Sequence, residues 1–443
     1  MKNITVFEFG EITKQSFDKD ISEIAFSQLK NFILPNKDED DEEEESKLGE
    51  LQSASVCMKF GSKNGKETIF VKNYVGTIAL PCGVVIEVLP KVFDEDDLSA
   101  SRSLVIEMLR VCGIIPYKQF QNANLHEDKL TLFEIYIRLF LNEVTALYKR
   151  GLRAGYVSVE NNENFLKGKL KFSEHIKRNF SHKEKFFVEY ELFNFNRAEN
   201  RLIKSTLLFL KNRCSAEVNR RDLRRLILMF DEVSQSENIE ADFAKCVKDR
   251  STKEYESVMK LCRVFLRKKS FTMYSGDNNV LALMFPMERL YESYIAHEMS
   301  KALEIGWSLQ AQSTMKYLFD GKHFSLRPDI ILKNDDKVRT IVDTKWKRLK
   351  NDSSINYGIS QADMYQMYAY NTRFDDCENV VLLYPYHEEL ENLKPLEYTA
   401  TVRGKQVSIH IALFDLKKYL ICKNFKSCVS PDNDWTNLLR LRN

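Results

Sequence analysis

Apolar and polar positions change their period several times along this 443-residue chain, and each change marks an expected change of element. Residues 51–93 read as strands. The stretch "ETIFVKNYVGTIALPCGVVIEVLPKVF" is rich in β-branched residues and is broken by Gly76 and by the Pro81-Cys82-Gly83 turn. From about residue 98 to 149 apolar residues recur at spacings of three and four, as in "LTLFEIYIRLFLNEVTALYKRGL", which predicts helix. Near Asn279 the pattern turns again. A helix starting around Pro286, a residue suited to a first helical turn, runs through "MERLYESYIAHEMSKALEI". Short strands are expected over 307–312, 324–332 and 338–345. A helix follows over 360–370, then a buried strand in "NVVLLYPY" and a late strand in "QVSIHIALFDL". Helix, three strands, helix and strand make an α/β layer with a mixed sheet. The expected fold class is α+β and multidomain. It has a β-rich N-terminal domain (1–97), a mainly helical middle region (98–278) and a C-terminal α/β domain (279–443).

Composition changes this picture in three places. The chain is 44% hydrophobic, enough for two or three cores, and its net charge of +2 does not announce a nucleic-acid binder. Residues 149–225 nevertheless hold 19 Lys/Arg against 9 Asp/Glu, so a basic surface for phosphate contacts is expected there, with a solvated helical face as the plainer alternative. The run DEDDEEEE at 38–45 repels itself and reads as a solvated loop or tail. Nine cysteines are scattered without a CxxC pair; the closest late pair, Cys422 and Cys428, has five residues between. Reduced thiols in a cytosolic protein are expected, with no zinc site and no disulfide frame. The opening residues lack the apolar core of a signal peptide, and no apolar run approaches the roughly 18 residues of a membrane span.

The chemistry concentrates in "FSLRPDIILKNDDKVRTIVDTKWKRL", residues 324–349. Side chains alternate along a strand, so Asp343, Lys345 and Lys347 share one face, with Thr344 and Trp346 on the other. Asp329 is read as closing the preceding strand. If the two strands are neighbours, Asp329 and Asp343 can share one cation; Mg²⁺ takes oxygen ligands, usually one or two carboxylates with waters and substrate phosphate. Lys345 would then stand beside a metal-bound water as a cation that stabilises developing negative charge. Glu292, on the helix before the strands, could complete or orient the metal shell, although Glu288 lies one turn before it. Gln366 and Tyr370 are four apart on the later helix and share a face, where they could hold a phosphate or orient the lysine. Ser360 is placed to cap that helix. The plainer reading of Asp…Asp-x-Lys is a solvated strand-end ion pair. Other motifs fail. "GSKNGKET" at 61–68 has the wrong spacing for a phosphate loop and reads as a hairpin turn. The seven histidines lack metal spacing, and no GxSxG is present.

In order along the chain, these pieces resemble the PD-(D/E)xK nucleases and, more narrowly, the McrC family, the nuclease subunit of McrBC-type modification-dependent restriction systems. "YVGTIALPCGVVIEVLPKVF" resembles the family's N-terminal "VG…I.I.PK" stretch. "GLRAGYVSVENNENFLKGKLKF" with "ELFNFNRAENRLIKSTLLFL" resembles its middle region, including an "N..IK" helix. "FPMERLYESYI" places the family's helix glutamate at Glu292. "RPDIIL" and "IVDTKWK" place Asp329, Asp343 and Lys345 at the nuclease positions. "DMYQMYAY" places the family's glutamine and tyrosine at Gln366 and Tyr370. The acidic run and the long basic middle depart from the pattern.

The resemblance implies a Mg²⁺-dependent DNA endonuclease subunit with Asp329, Asp343 and Glu292 at the metal. It also implies an McrB-like AAA+ GTPase ring as partner, on which the N-terminal region docks and whose GTPase it stimulates. GTP is bound by that ring and not by this chain, and the modified base in double-stranded DNA is read by the partner. A cytoplasmic location and no membrane role follow. A reading from another class makes the chain an adaptor and GTPase activator with a non-catalytic, DNA-clamping α/β domain. A third makes it a nuclease that needs no motor.

Overall fold

The computed structural model describes residues 2–34, 57–92, 97–114, 130–246, 253–266, 280–312, 316–319, 321–374, 376–402, 405–430 and 438–442; the acidic run at 38–45 lies outside them. Two units interleave along the chain. One comprises Asn3–Cys82, Ile86–Tyr117 and Ala282–Asn443, the other Met1–Lys2, Gly83–Val85 and Lys118–Leu281. The segments 1–97, 98–278 and 279–443 therefore do not map onto them one for one.

The N-terminal elements are β1 (Lys2–Phe7), β2 (Glu11–Ile12), α1 (Ser22–Ile33), β3 (Met58–Lys63), β4 (Lys66–Val71), β5 (Tyr74–Ala79), β6 (Val84–Leu89) and α2 (Leu98–Val111). Strands β2, β4 and β3 form one antiparallel sheet. The β3–β4 turn has Asn64 at φ 51° and Gly65 at φ 75°. That left-handed pair matches the strand twist of a two-residue hairpin, so 61–68 is the hairpin its composition suggested.

The second unit carries β7 (Gly155–Glu163), β8 (Lys169–Leu170) and β9 (Phe186–Asn194). Its helices include α3 (Leu132–Arg150), α4 (Phe172–Arg178), α5 (Ala198–Lys211), α6 (Glu217–Met229), α7 (Ile239–Lys245) and α8 (Glu256–Leu266). Helices thus dominate the described middle region, and a three-stranded sheet, ordered β7-β9-β8, accompanies them. Along β7 no residue is fully buried, so no apolar stripe marked it as a strand. Some charges of the basic stretch are paired: Arg201 with Asp242 from outside it, and Lys171 with Glu160 within it. The "N..IK" residues are structural: Asn200 donates to the carbonyls of Arg153 and Phe195, and Lys204 donates to those of Ile227 and Phe230 at the end of α6.

The first unit resumes with β10 (Leu281–Pro286), α9 (Met287–Ala302), β11 (Trp307–Ala311), β12 (Lys316–Phe319), β13 (His323–Leu326), β14 (Ile330–Asn334) and β15 (Lys337–Thr344). After these come α10 (Gln361–Arg373), β16 (Asn379–Pro385), β17 (Leu396–Val402), β18 (Lys405–Phe414), α11 (Leu416–Cys422) and β19 (Val429–Ser430). One sheet runs β1-β6-β5-β10. Gly76 in β5, at φ 140°, is required there: a Cβ would lie 1.8 Å from the Leu283 carbonyl oxygen of β10. The larger, mixed sheet runs β11-β14-β15-β16-β18-β17, with β19 on β18. Strands β15, β16 and β18 are parallel and central, and their near-continuous apolar runs are buried. Helix α10 lays Met367, Tyr370 and the adjoining Phe374 into the core with Ile331, Ile341, Leu382 and Ile409.

The expected strand over 324–332 is two strands. His323–Leu326 pairs with β12 in its own hairpin, and β14 opens only at Ile330. Pro328 lies in the break, where its missing N–H interrupts no ladder. Asp329 therefore precedes β14 instead of closing a strand. Among the described residues no helix is long and apolar enough to cross a membrane.

Candidate active site

Register brings the two aspartates together. Strands β14 and β15 are antiparallel with Ile330 opposite Val342, so Asp329, just before β14, stands beside Asp343, near the end of β15. Each strand end is then fixed. Thr344 donates both its backbone N–H and its hydroxyl to Asp329 Oδ2, each at 2.7 Å. The Lys345 N–H donates to the Leu383 carbonyl at 3.0 Å, which carries the β15–β16 pairing one residue beyond the strand.

Asp343 is wholly buried, and Lys345 Nζ lies 2.5 Å from its Oδ2 as an ion pair. Among the described residues no group donates to its Oδ1. Burying a carboxylate with an undonated oxygen is costly unless a cation compensates it. Burial, then the Asp329 charge, pushes Asp343 up to about 7 against the pull of Lys345. Glu292 of α9 is half-buried and is raised to about 7 by burial and by Asp329, while the Gln312 amide donates to it. Asp329 is also raised, by burial, which outweighs the two Thr344 hydrogen bonds. Burial opposes the charge of Lys345, but Asp343, Asp329 and Asp363 outweigh it and lift its pKa, so the amine stays cationic.

The helix behind this cluster orients the lysine. Lys345 Nζ donates to Gln366 Oε1 at 3.3 Å, Gln366 Nε2 to the Tyr370 hydroxyl at 2.8 Å, and that hydroxyl to the Arg327 carbonyl at 3.1 Å. Tyr370 is buried, and its hydroxyl is engaged on both sides. Tyr365 and Tyr368 of the same helix are exposed. Ser360 caps α10 by accepting from the Asp363 N–H at 3.1 Å. Asp363 in turn accepts from Lys347 at 2.8 Å, so both strand lysines reach toward α10.

All six residues singled out from the sequence thus meet at one end of the sheet. The exposed Glu288 adds its charge to Asp329 from the same helix as Glu292. Two residues escaped the sequence reading, Thr344 and Gln312. Thr344 was assigned to the opposite face by alternation, and only the antiparallel register shows that it reaches Asp329. Among the described residues no three His, Cys, Asp or Glu side chains are gathered tightly enough to hold a metal by themselves. Two carboxylates with waters and substrate oxygens are, however, a sufficient set for Mg²⁺. Asp343 Oδ1, to which no described group donates, fits such a cation.

The family model for "McrBC 5-methylcytosine restriction system component" matches residues 69–385, a span that holds all six of these residues. The chain belongs to the McrBC family. Among solved structures, it resembles a chain of the refined half-complex from the tetradecameric assembly of Thermococcus gammatolerans McrB AAA+ hexamers with bound McrC. That likeness has 21% identity and a TM-score of 0.67, over 99% of this chain and 98% of that one. A chain of the cryo-EM structure of the Thermococcus gammatolerans McrBC complex is 22% identical, with a TM-score of 0.45 over 67% of this chain and 86% of that one. No curated protein matches the sequence. The first likeness shows a shared fold over nearly the whole chain.

Proposed function

We propose that this McrBC-family chain is the DNA endonuclease subunit of a GTP-dependent restriction complex, with a PD-(D/E)xK site at the end of β14 and β15. One observation carries the reading: Asp343, wholly buried, stands beside Asp329 with its Oδ2 2.5 Å from the ammonium of Lys345. In this role Asp329 and Asp343 hold Mg²⁺, with Glu292 alongside. When bound, the metal would supply a water of lowered pKa and polarise a phosphoryl oxygen. Thr344 keeps Asp329 in place. Lys345 puts positive charge where negative charge develops on the scissile phosphate. Gln366 holds Lys345, and Tyr370 acts through Gln366 as a positioning residue.

The partner in this reading is an McrB-type AAA+ ring. The McrB hexamers named with the similar solved chain support it, as does the hairpin that takes the place of a phosphate loop at 61–68. The N-terminal region docks on that ring in this reading. The DNA modification is left to the partner.

The test is cleavage by the reconstituted complex. DNA cutting should need both a divalent cation and GTP hydrolysis, and should stop with a chelator. Asp343→Ala should abolish cutting while assembly and stimulated GTP hydrolysis persist. Cutting by Asp343→Ala under the same conditions would refute the site. A wild-type complex that stimulates GTP hydrolysis but never cuts would make the chain an adaptor.

A further inference from the structure

Away from the β14–β15 site, the end of α11 and the start of β19 bring two thiols together. Cys422 is the last residue of α11 and is exposed; Cys428 is buried, and its carbonyl accepts from the Asp415 N–H. Their sulfurs are 3.4 Å apart. The chain returns on itself between them because Lys423 adopts the left-handed conformation, at φ 52°. Cys422 Sγ accepts from the Asn424 N–H at 3.4 Å and lies 3.6 Å from the Ser427 hydroxyl. The slight burial of Cys422 opposes ionisation, but these donors, the Cys428 thiol and the Lys418 charge outweigh it, so its pKa falls below the ordinary thiol value. Burial, then the hydrogen bond to Cys422, pushes Cys428 up to about 12. Of the nine cysteines, Cys422 alone is classed as exposed.

We propose that Cys422 and Cys428 are a reversible oxidation site, in which Cys422 is the peroxide-reactive thiolate and Cys428 the resolving thiol. The Cys422 thiolate attacks a peroxide oxygen. The S–O bond forms as the O–O bond breaks, and hydroxide leaves to be protonated to water. The Cys428 sulfur then attacks the resulting sulfenic acid, forming the S–S bond, and the hydroxyl departs as water with the Cys428 proton. Overall, two thiols are oxidised by two electrons and one peroxide is reduced to two waters. A disulfide is about 2.05 Å long, so the sulfurs need to approach by only about 1.4 Å. The bridge would tie the last turn of α11 to β19. Tyr419, in that turn, donates to Glu298 of α9 at 2.5 Å.

The experiment uses the folded full chain, treated with one equivalent of hydrogen peroxide, alkylated and digested with trypsin. Cleavage after Lys423 and Lys426 separates the two cysteines, so the bridge appears as one cross-linked peptide pair in the mass spectrum. Expected are that pair in the wild type, its loss on reduction by dithiothreitol, and the other seven thiols still alkylated. In Cys428→Ser, Cys422 should accumulate as a sulfenic acid captured by dimedone. In Cys422→Ser, Cys428 should stay reduced. The proposal falls if Cys422 remains fully alkylated in the wild type, if it joins a different cysteine, or if Cys428 oxidises equally fast without it. None of these readouts depends on DNA cleavage.

Discussion

Burial and the Asp329 charge favour the neutral form of Asp343 over the pull of the Lys345 ammonium. They lift Asp343 from 3.8 to about 7, and Glu292 rises from 4.5 to about 7 for the same reasons. Between about pH 4 and 7 these two groups therefore hold more protons in the folded than in the unfolded chain. By linkage, their contribution to the stability of the metal-free protein falls as pH rises through that window. Asp343→Asn removes the ionisation, so in chelator at pH 8 this variant should melt above the wild type, by about 2–4 °C for each kcal/mol relieved. Added Mg²⁺ should raise the wild-type Tm at pH 8 and leave Asp343→Asn unmoved. Thermal melts at pH 5 and 8, with and without metal, check both signs. Lys345→Ala should leave the metal-induced rise in Tm intact but slow cleavage about 10²–10³-fold, as expected for loss of one charge-stabilising donor. If Lys345→Ala instead abolished metal binding, the lysine would be holding the carboxylates and not acting on the phosphate.

Two elements set the precision of this cluster. Helix α10 supplies Gln366 and Tyr370 from a start fixed by the Ser360 cap. Ser360→Ala should cost about 1 kcal/mol in denaturant unfolding and reduce cleavage through a looser Gln366–Lys345 contact. Strand β5 depends on Gly76. Gly76→Ala combines a positive φ with a Cβ 1.8 Å from a backbone oxygen of β10, whose chain continues directly into α9 and Glu292. That substitution should destabilise by more than about 2 kcal/mol, measured by equilibrium unfolding. A near-neutral result would mean that β5 and β10 are not tightly apposed.

Within the first unit, a buried contact joins Glu8 to Trp346, two residues past β15. The carboxylate of Glu8, the residue after β1, accepts from Trp346 Nε1 at 2.8 and 3.0 Å and from the Lys91 N–H at 2.9 Å. Burial raises Glu8 to about 7 despite these donors. Trp346 is the neighbour of Lys345 and packs its ring against Tyr291 of α9 at 5.1 Å. Residues more than 330 positions apart in sequence thus hold one another at the edge of the site. Glu8→Ala would leave the indole N–H and the Lys91 N–H without their acceptor, at about 1–3 kcal/mol for each buried group. The denaturation midpoint should fall with an unchanged slope, and cleavage should weaken while metal binding persists. Cleavage unchanged at full folding would show that Trp346 does not steady Lys345.

Local chemistry was legible in the chain itself: the apolar runs of β15, β16 and β18, the α9 and α10 periodicities, the Ser360 cap, and the Asp-x-Lys alternation on one face. These follow from short-range periodicity, which sequence carries directly. The β7–β9 pairing was not legible, because no residue of β7 is fully buried and only Phe187 and Val188 of β9 are, so no apolar stripe marks the pair. The break at Pro328 and the split into β13 and β14 were also hidden, since an apolar run does not say which partner each half will pair with. Above all, the meeting of Asp329 with Asp343, the turn of Thr344 onto Asp329, and the Glu8–Trp346 contact were decided by strand register and long-range packing. Hydrogen bonds between distant strands select one register because slipping by a single residue would turn every buried side chain outward. That constraint exists only once the sheet is assembled.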